Sequence, residues 1–184
     1  RLYQAIDRAV ALTSRTLEYA GEEGPPLRES AFRLRELLNE LGETLPIPGN
    51  GTAAVTSEGE ALDVVVHADR TQLFRVFSNL ALNAAQAGAH AIRFDAQTRN
   101  GIVRIDVGDD GPGIPPALQE SLFRPFSTGR KGGTGLGLCI AREVLTAHGG
   151  ALVLARSDGT GTVFRIELPL RQSAHGALGA DHAC

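Results

Sequence analysis

The sequence has no methionine, no tryptophan and only two cysteines, Cys139 and Cys184. Two cysteines do not make a disulfide framework, so a reducing compartment, the cytoplasm, is expected. No apolar run approaches the roughly 20 residues of a membrane span, so no membrane contact is expected of this stretch, whether or not a longer parent is anchored. An excess of basic charge is also missing: 18 lysines and arginines face 21 aspartates and glutamates, for a net charge of −3. That balance leaves no electrostatic footprint for nucleic acid. Disorder is excluded by the opposite test, with 42% hydrophobic and 21% charged residues. The 184 residues fit one domain of about 150 residues with an appendage. With Arg1 at its start and no methionine anywhere, the chain is expected to be a piece of a longer protein.

What is present is periodic. Leu2, Ile6, Val10, Thr13 and Leu17 recur at helical spacing, predicting an amphipathic helix over the first twenty residues. The run Gly21–Pro26 breaks it, since two glycines and two prolines do not extend a helix. A second helix is expected over Ser30–Leu45 on Phe32, Leu34, Leu37, Leu38 and Leu41, ended by the stretch from Pro46 to Gly51. Strands are expected near Ala53–Thr56 and Leu62–His67. Asp69 to Ala87 carries the clearest helical pattern, with Asp69 and Gln72 as a capping pair and Gly88 as its stop. Alternation at Ile92, Phe94 and Ala96 and at Val103, Ile105 and Val107, around Asn100-Gly101, predicts a hairpin. A further helix from Gly135 to His148 and a hairpin of Ala151–Ala155 with Thr162–Leu168 complete the pattern. The fold class is α+β: a two-layer sandwich of helices over a mixed, mostly antiparallel sheet.

Three clusters exceed what such a fold needs. Asn79, Asn83 and Gln86 make a polar stripe beside the buried face of the Asp69–Ala87 helix. Amide oxygens are neutral, hard donors suited to magnesium, which shares its remaining positions with water and phosphates. Next, Asp109-Asp110-Gly111-Pro112-Gly113-Ile114 follows a strand directly. Its glycines permit close approach of a flat ligand, and a carboxylate there can accept from an exocyclic amine. Finally, Gly132-Gly133-Thr134-Gly135-Leu136-Gly137-Leu138 opens a helix, with Arg130 and Lys131 just upstream. A glycine-rich turn into a helix N-terminus offers N–H groups and a positive dipole end to phosphates. It is neither a P-loop nor a dinucleotide fingerprint. Taken singly, the clusters also read as solvated amides, an acidic turn and a flexible loop.

In their order and spacing they resemble the Bergerat-type ATP-binding domain shared by sensor histidine kinases, type II topoisomerases, Hsp90 chaperones and mismatch-repair ATPases. Asn79-Leu-Ala-Leu-Asn83-Ala is similar to the asparagine box, Asp109–Ile114 to the adenine-binding loop and Gly133–Leu138 to the second glycine loop. Leu122-Phe123-Arg124-Pro125-Phe126 resembles the phenylalanine box of histidine kinases, and His148-Gly149-Gly150 a turn common in them. The short segment from Pro115 to Gly133 resembles the lid of the nitrogen-regulator-like subgroup, although Ser127-Thr128-Gly129-Arg130-Lys131 replaces its usual phenylalanine-led stretch.

The resemblance implies ATP and Mg²⁺ as ligands, with Asn83 and Asn79 holding the metal and Asp109 the adenine. It implies nucleotide contacts from Asn79, Asn83, Gln86, Asp109, Gly111, Gly113, Ile114, Phe126, Thr128, Arg130, Lys131, Gly133, Thr134, Gly135, Leu136, Gly137 and Leu138. ATP-hydrolysing members carry a glutamate where this chain has Asn79, so transfer to a protein nucleophile fits better than hydrolysis. Residues 1–22 are then the second helix of a dimerisation and phosphotransfer hairpin and 23–29 a linker. Residues 30–170 form the catalytic domain and 171–184 a flexible tail. The phosphoacceptor histidine of the family is usually followed by an acidic residue. His67, His90, His148, His175 and His182 are followed by Ala, Ala, Gly, Gly and Ala, so the acceptor is expected before Arg1. The partners implied are a response regulator and a second copy of the intact protein. The alternatives are a serine kinase of the anti-sigma-factor type and a non-catalytic nucleotide-binding scaffold.

Overall fold

The computed structural model describes residues 26–44, 53–127 and 134–170. The first predicted helix, the stretch from Pro46 to Gly51, the loop from Thr128 to Gly133 and the tail from Arg171 onward lie outside them.

Within the described residues the chain forms β1 (Glu29–Arg33), α1 (Leu34–Thr44), β2 (Ala54–Glu58), β3 (Val65–Asp69), α2 (Arg70–Ala87), β4 (Ala91–Arg99) and β5 (Ile102–Asp109). A single turn, α3 (Pro116–Gln119), then precedes α4 (Gly137–Ala147), β6 (Ala151–Asp158) and β7 (Gly161–Pro169). The five-stranded sheet runs β2-β4-β5-β7-β6, with β2 parallel to β4 and every other pair antiparallel. Helices cover one face of it, as the α+β reading requires.

One expectation is corrected. The helix predicted from Ser30 begins at Leu34, because residues Glu29–Arg33 pair antiparallel with β3 as a separate two-stranded sheet. Phe32, placed by the sequence on a helix, instead faces Val66 across that ladder and is buried. Long-range pairing overrides local propensity there.

α2 forms as its sequence dictates. Asp69 caps it by accepting the Gln72 N–H at 3.1 Å, and Gly88 ends it in the left-handed conformation (φ 97°). Its buried face of Leu73, Val76, Phe77, Leu80, Ala81 and Ala84 packs on the sheet, where Phe77 meets Phe94 edge-on at 5.7 Å. Asn100 and Gly101 both take positive φ, 52° and 74°, the tight primed turn between β4 and β5. None of the described helices is long and apolar enough to cross a membrane.

Candidate functional site

The site is built where α2, the end of β5 and the start of α4 meet. Asn79 is half-buried on α2, and its Nδ2 is a buried donor without a hydrogen-bond partner among the described residues. α4 begins directly against it: a Cβ on Gly137 would lie 2.2 Å from Asn79 Oδ1, so any side chain there would push the Asn79 amide aside. Asn83, also half-buried, and Gln86, exposed, follow along the same stripe. α4 has no side-chain cap at Leu136, which leaves its first N–H groups to other acceptors.

The strand end supplies a carboxylate with two different oxygens. Asp109 Oδ1 accepts from the Gly111 N–H at 2.9 Å and the Thr162 N–H at 3.3 Å. Among the described residues nothing donates to Oδ2. Burial pushes the Asp109 carboxyl above its usual range, and the charge of Asp110 adds to this against the two backbone N–H groups. Its neighbour behaves oppositely. Exposed Asp110 accepts through Oδ1 from the Ala91 N–H at 2.9 Å and the His90 N–H at 2.7 Å, and these donors hold its carboxyl below the usual range. Asp110 therefore pins the start of β4, while Asp109 keeps an open acceptor.

The loop beyond them lies on the β6–β7 turn. Gly113 (φ 78°) has no room for a side chain, since a Cβ would lie 2.0 Å from the Asp158 carbonyl oxygen. The Ile114 N–H donates to Ser157 Oγ at 2.7 Å, and Gln119 Nε2 donates to the Ile114 carbonyl at 2.8 Å. In the following segment Phe123 stacks edge-on to Phe164 at 6.4 Å under the Arg142 guanidinium. Phe126 is 55% exposed at φ 63°, and Gly135 packs so closely beneath it that a Cβ there would lie 2.5 Å from the Phe126 carbonyl carbon.

Of the residues singled out in the sequence, Asn79 meets Gly137 directly, and Asp109, Gly111, Gly113 and Ile114 share one loop. Thr134, Gly135, Leu136 and Leu138 surround the start of α4, with Leu136 buried. Thr128, Arg130, Lys131 and Gly133 lie outside the described residues.

Sequence reasoning missed the supports. Thr162 and Ser157 hold the loop from a distant hairpin, and His148 joins the helices. Buried His148 donates from Nδ1 to the Val144 carbonyl at 2.7 Å and accepts the Asp69 N–H on Nε2 at 2.9 Å, a pattern that assigns the neutral tautomer. That contact ties the C-terminus of α4 to the cap of α2. In the sequence only the His148-Gly149-Gly150 turn pointed toward it.

Residues 68–172 match the family described as histidine kinase-, DNA gyrase B-, and HSP90-like ATPase. The sensory histidine kinase/phosphatase NtrB of Salmonella typhimurium is 40% identical over 186 residues, covering 93% of this chain and 51% of that protein. The chain thus spans about half the length of that relative. Full-length ShkA in complex with AMPPNP superimposes with a TM-score of 0.75 at 26% identity, over 93% of this chain and 38% of that one. Histidine kinase ThkA in complex with the response regulator protein TrrA gives a TM-score of 0.66 at 29% identity, over 92% of this chain and 49% of that one. With uncapped helix, asparagine stripe and open carboxylate in the family's order, this chain belongs to the histidine kinase-, DNA gyrase B- and HSP90-like ATPases.

Proposed function

We propose that the chain is the ATP-binding catalytic region of a sensor histidine kinase. It transfers the γ-phosphoryl group of ATP to a histidine elsewhere in the parent protein, for relay to a response-regulator aspartate. The observation that carries this reading is the Asp109 carboxylate, with one oxygen held by backbone N–H groups and the other open beside glycine backbone. An adenine exocyclic amine fits that acceptor. Gly111, Gly113 and Ile114 would border the base, and Gln86 and Phe126 the rim.

The donor chemistry fits Mg²⁺. Among the described residues no group of three or more His, Cys, Asp or Glu side chains could hold a metal. Asn83, assisted by Asn79, would share the ion with phosphate oxygens and water. Bound there, magnesium would neutralise phosphate charge. The uncapped start of α4, from Thr134 through Gly135, Leu136 and Gly137 to Leu138, faces the phosphates in this reading, with Gly133, Thr128 and Arg130 or Lys131. An amide at position 79 gives water no base, so the γ-phosphoryl group awaits a protein nucleophile. ShkA with AMPPNP supports the nucleotide, and ThkA with TrrA supports a response regulator as partner. Dimerisation through residues 1–22 and a cytoplasmic location complete the proposal.

Calorimetric titration with and without Mg²⁺ tests it: ATP binding should be metal-dependent. Incubated with labelled ATP and Mg²⁺, this chain should label none of its histidines. A longer protein that includes the preceding helix should form an acid-labile phosphohistidine. Binding without phosphorylation in the longer protein would favour a scaffold, and labelling of a partner's serine an anti-sigma-type kinase.

A further inference from the structure

We propose that Ser157 is a positioning residue for base selection, its hydroxyl fixing the loop that aims Asp109 Oδ2. The proposal rests on the reading of Asp109 as the acceptor of the base amine. The chain of contacts is continuous. The Ile114 N–H donates to Ser157 Oγ at 2.7 Å, and Ser157 Oγ lies 3.3 Å from Thr162 Oγ1. The Thr162 N–H then donates to Asp109 Oδ1, which also holds the Gly111 N–H. The Ile114 end of the 109–114 loop is therefore tied through the Ser157–Thr162 hydroxyl pair to the residue whose backbone N–H holds Asp109 at the other end.

Backbone contacts alone do not achieve this. A Cβ at Gly113 would lie 2.0 Å from the Asp158 carbonyl oxygen and one at Gly161 would lie 1.9 Å from the Asp109 carbonyl oxygen, so the loop rests flat on the hairpin. Those contacts set its height. Orientation at its far end comes from the Ile114–Ser157 hydrogen bond, 43 residues apart in sequence. The Ser157 hydroxyl bonds to the base loop and to Thr162, and to neither α2 nor α4, which carry the groups assigned to metal and phosphate. Its loss should therefore be felt by the base and not by the triphosphate.

The test compares ATP with ITP, whose base carries a carbonyl in place of the amine, by calorimetry on the full chain with Mg²⁺. Ser157→Ala should weaken ATP about three- to tenfold, the range of one hydrogen bond, and leave ITP within about twofold. Exchange of the Ile114 amide hydrogen should accelerate, and Ser157→Thr should restore both readings. Combined with Asp109→Asn, Ser157→Ala should add nothing further. Equal weakening of ATP and ITP, or of neither, overturns the proposal. If Asp109→Asn erases the preference for ATP while Ser157→Ala leaves it, only the role of Ser157 falls. If Asp109→Asn leaves the preference intact, the base reading falls and this proposal with it. Should the alanine variant fail to fold, Ser157→Cys keeps the volume with a far weaker acceptor and is read the same way.

Discussion

Asp109→Asn separates binding from stability by opposite signs. Asparagine can keep Oδ1 as acceptor for the Gly111 and Thr162 N–H groups, so the loop has no reason to move. The open Oδ2 becomes an NH₂ donor, which faces the amine of adenine donor to donor. Loss of a charge-assisted hydrogen bond typically removes about 1.5–3 kcal/mol, or roughly ten- to hundredfold in affinity. Stability moves the other way. Burial raises the Asp109 carboxyl above its ordinary value, so folding favours the protonated form and the ionised group opposes the fold at neutral pH. That opposition fades as pH falls through the raised value, and asparagine removes it at every pH. The variant should therefore melt at or above the parent temperature at pH 7, while ATP binding in calorimetry collapses. Unchanged ATP affinity refutes the assignment. A melting temperature several degrees lower would show that the ionised carboxylate supports the fold. Asp110→Asn is the control, because its amide oxygen still accepts from His90 and Ala91, and ATP affinity should stay unchanged.

Asn83→Ala should abolish the magnesium dependence of ATP binding and leave metal-free ADP binding nearly intact; surviving metal dependence would exclude Asn83 as a ligand. Gly137→Ala should cost about 1–3 kcal/mol by crowding Asn79, yet be neutral or stabilising by up to about 1 kcal/mol beside Asn79→Ala. Additive denaturation energies in that double-mutant cycle would remove the contact from the argument. In acid, Asp69 works against Asp109: burial raises its carboxyl, but the Gln72, Arg28 and Thr71 N–H groups outweigh this and lower it. Its stabilisation is thus complete above the ordinary 3.8 and lost as pH falls through the lowered value. Asp69→Asn should flatten the loss of stability seen by denaturant titration below about pH 4, and an unaltered acid limb would refute this.

The elements legible in the sequence are those whose signals are local. Asp69 with Gln72 and Gly88 bounded α2 because caps act within a few residues, and Asn100-Gly101 named its own turn. The glycines at 111, 113, 135 and 137 marked close approaches without naming their neighbours, which are Asp109, Asp158, Phe126 and Asn79. β1 was misread because a pattern of Phe32, Leu34, Leu37 and Leu38 suits a helix, and only the ladder to β3 converts its first part to strand. Nothing local marked the support role of Asp110, since its donors lie 19 and 20 residues away. Ser157 and Thr162 were invisible as site residues for the same reason, with partners 43 and 53 residues distant, and the turn at His148 gave no hint of its bond to the Asp69 N–H, 79 residues away.

The bond from Thr162 to Asp109 also sets a timetable. β5 pairs with β4 through a two-residue turn, but the Asp109 carboxylate takes its second donor from β7, the last in sequence of the described strands. During synthesis the asparagine stripe and the strand end therefore leave the ribosome well before the carboxylate is oriented. On the proposed reading of Asp109, chains lacking β7 should hold the base poorly, so nucleotide would add its binding energy to the fold only once the final hairpin has closed. Occupancy by nucleotide would in this sense report that the fold is finished.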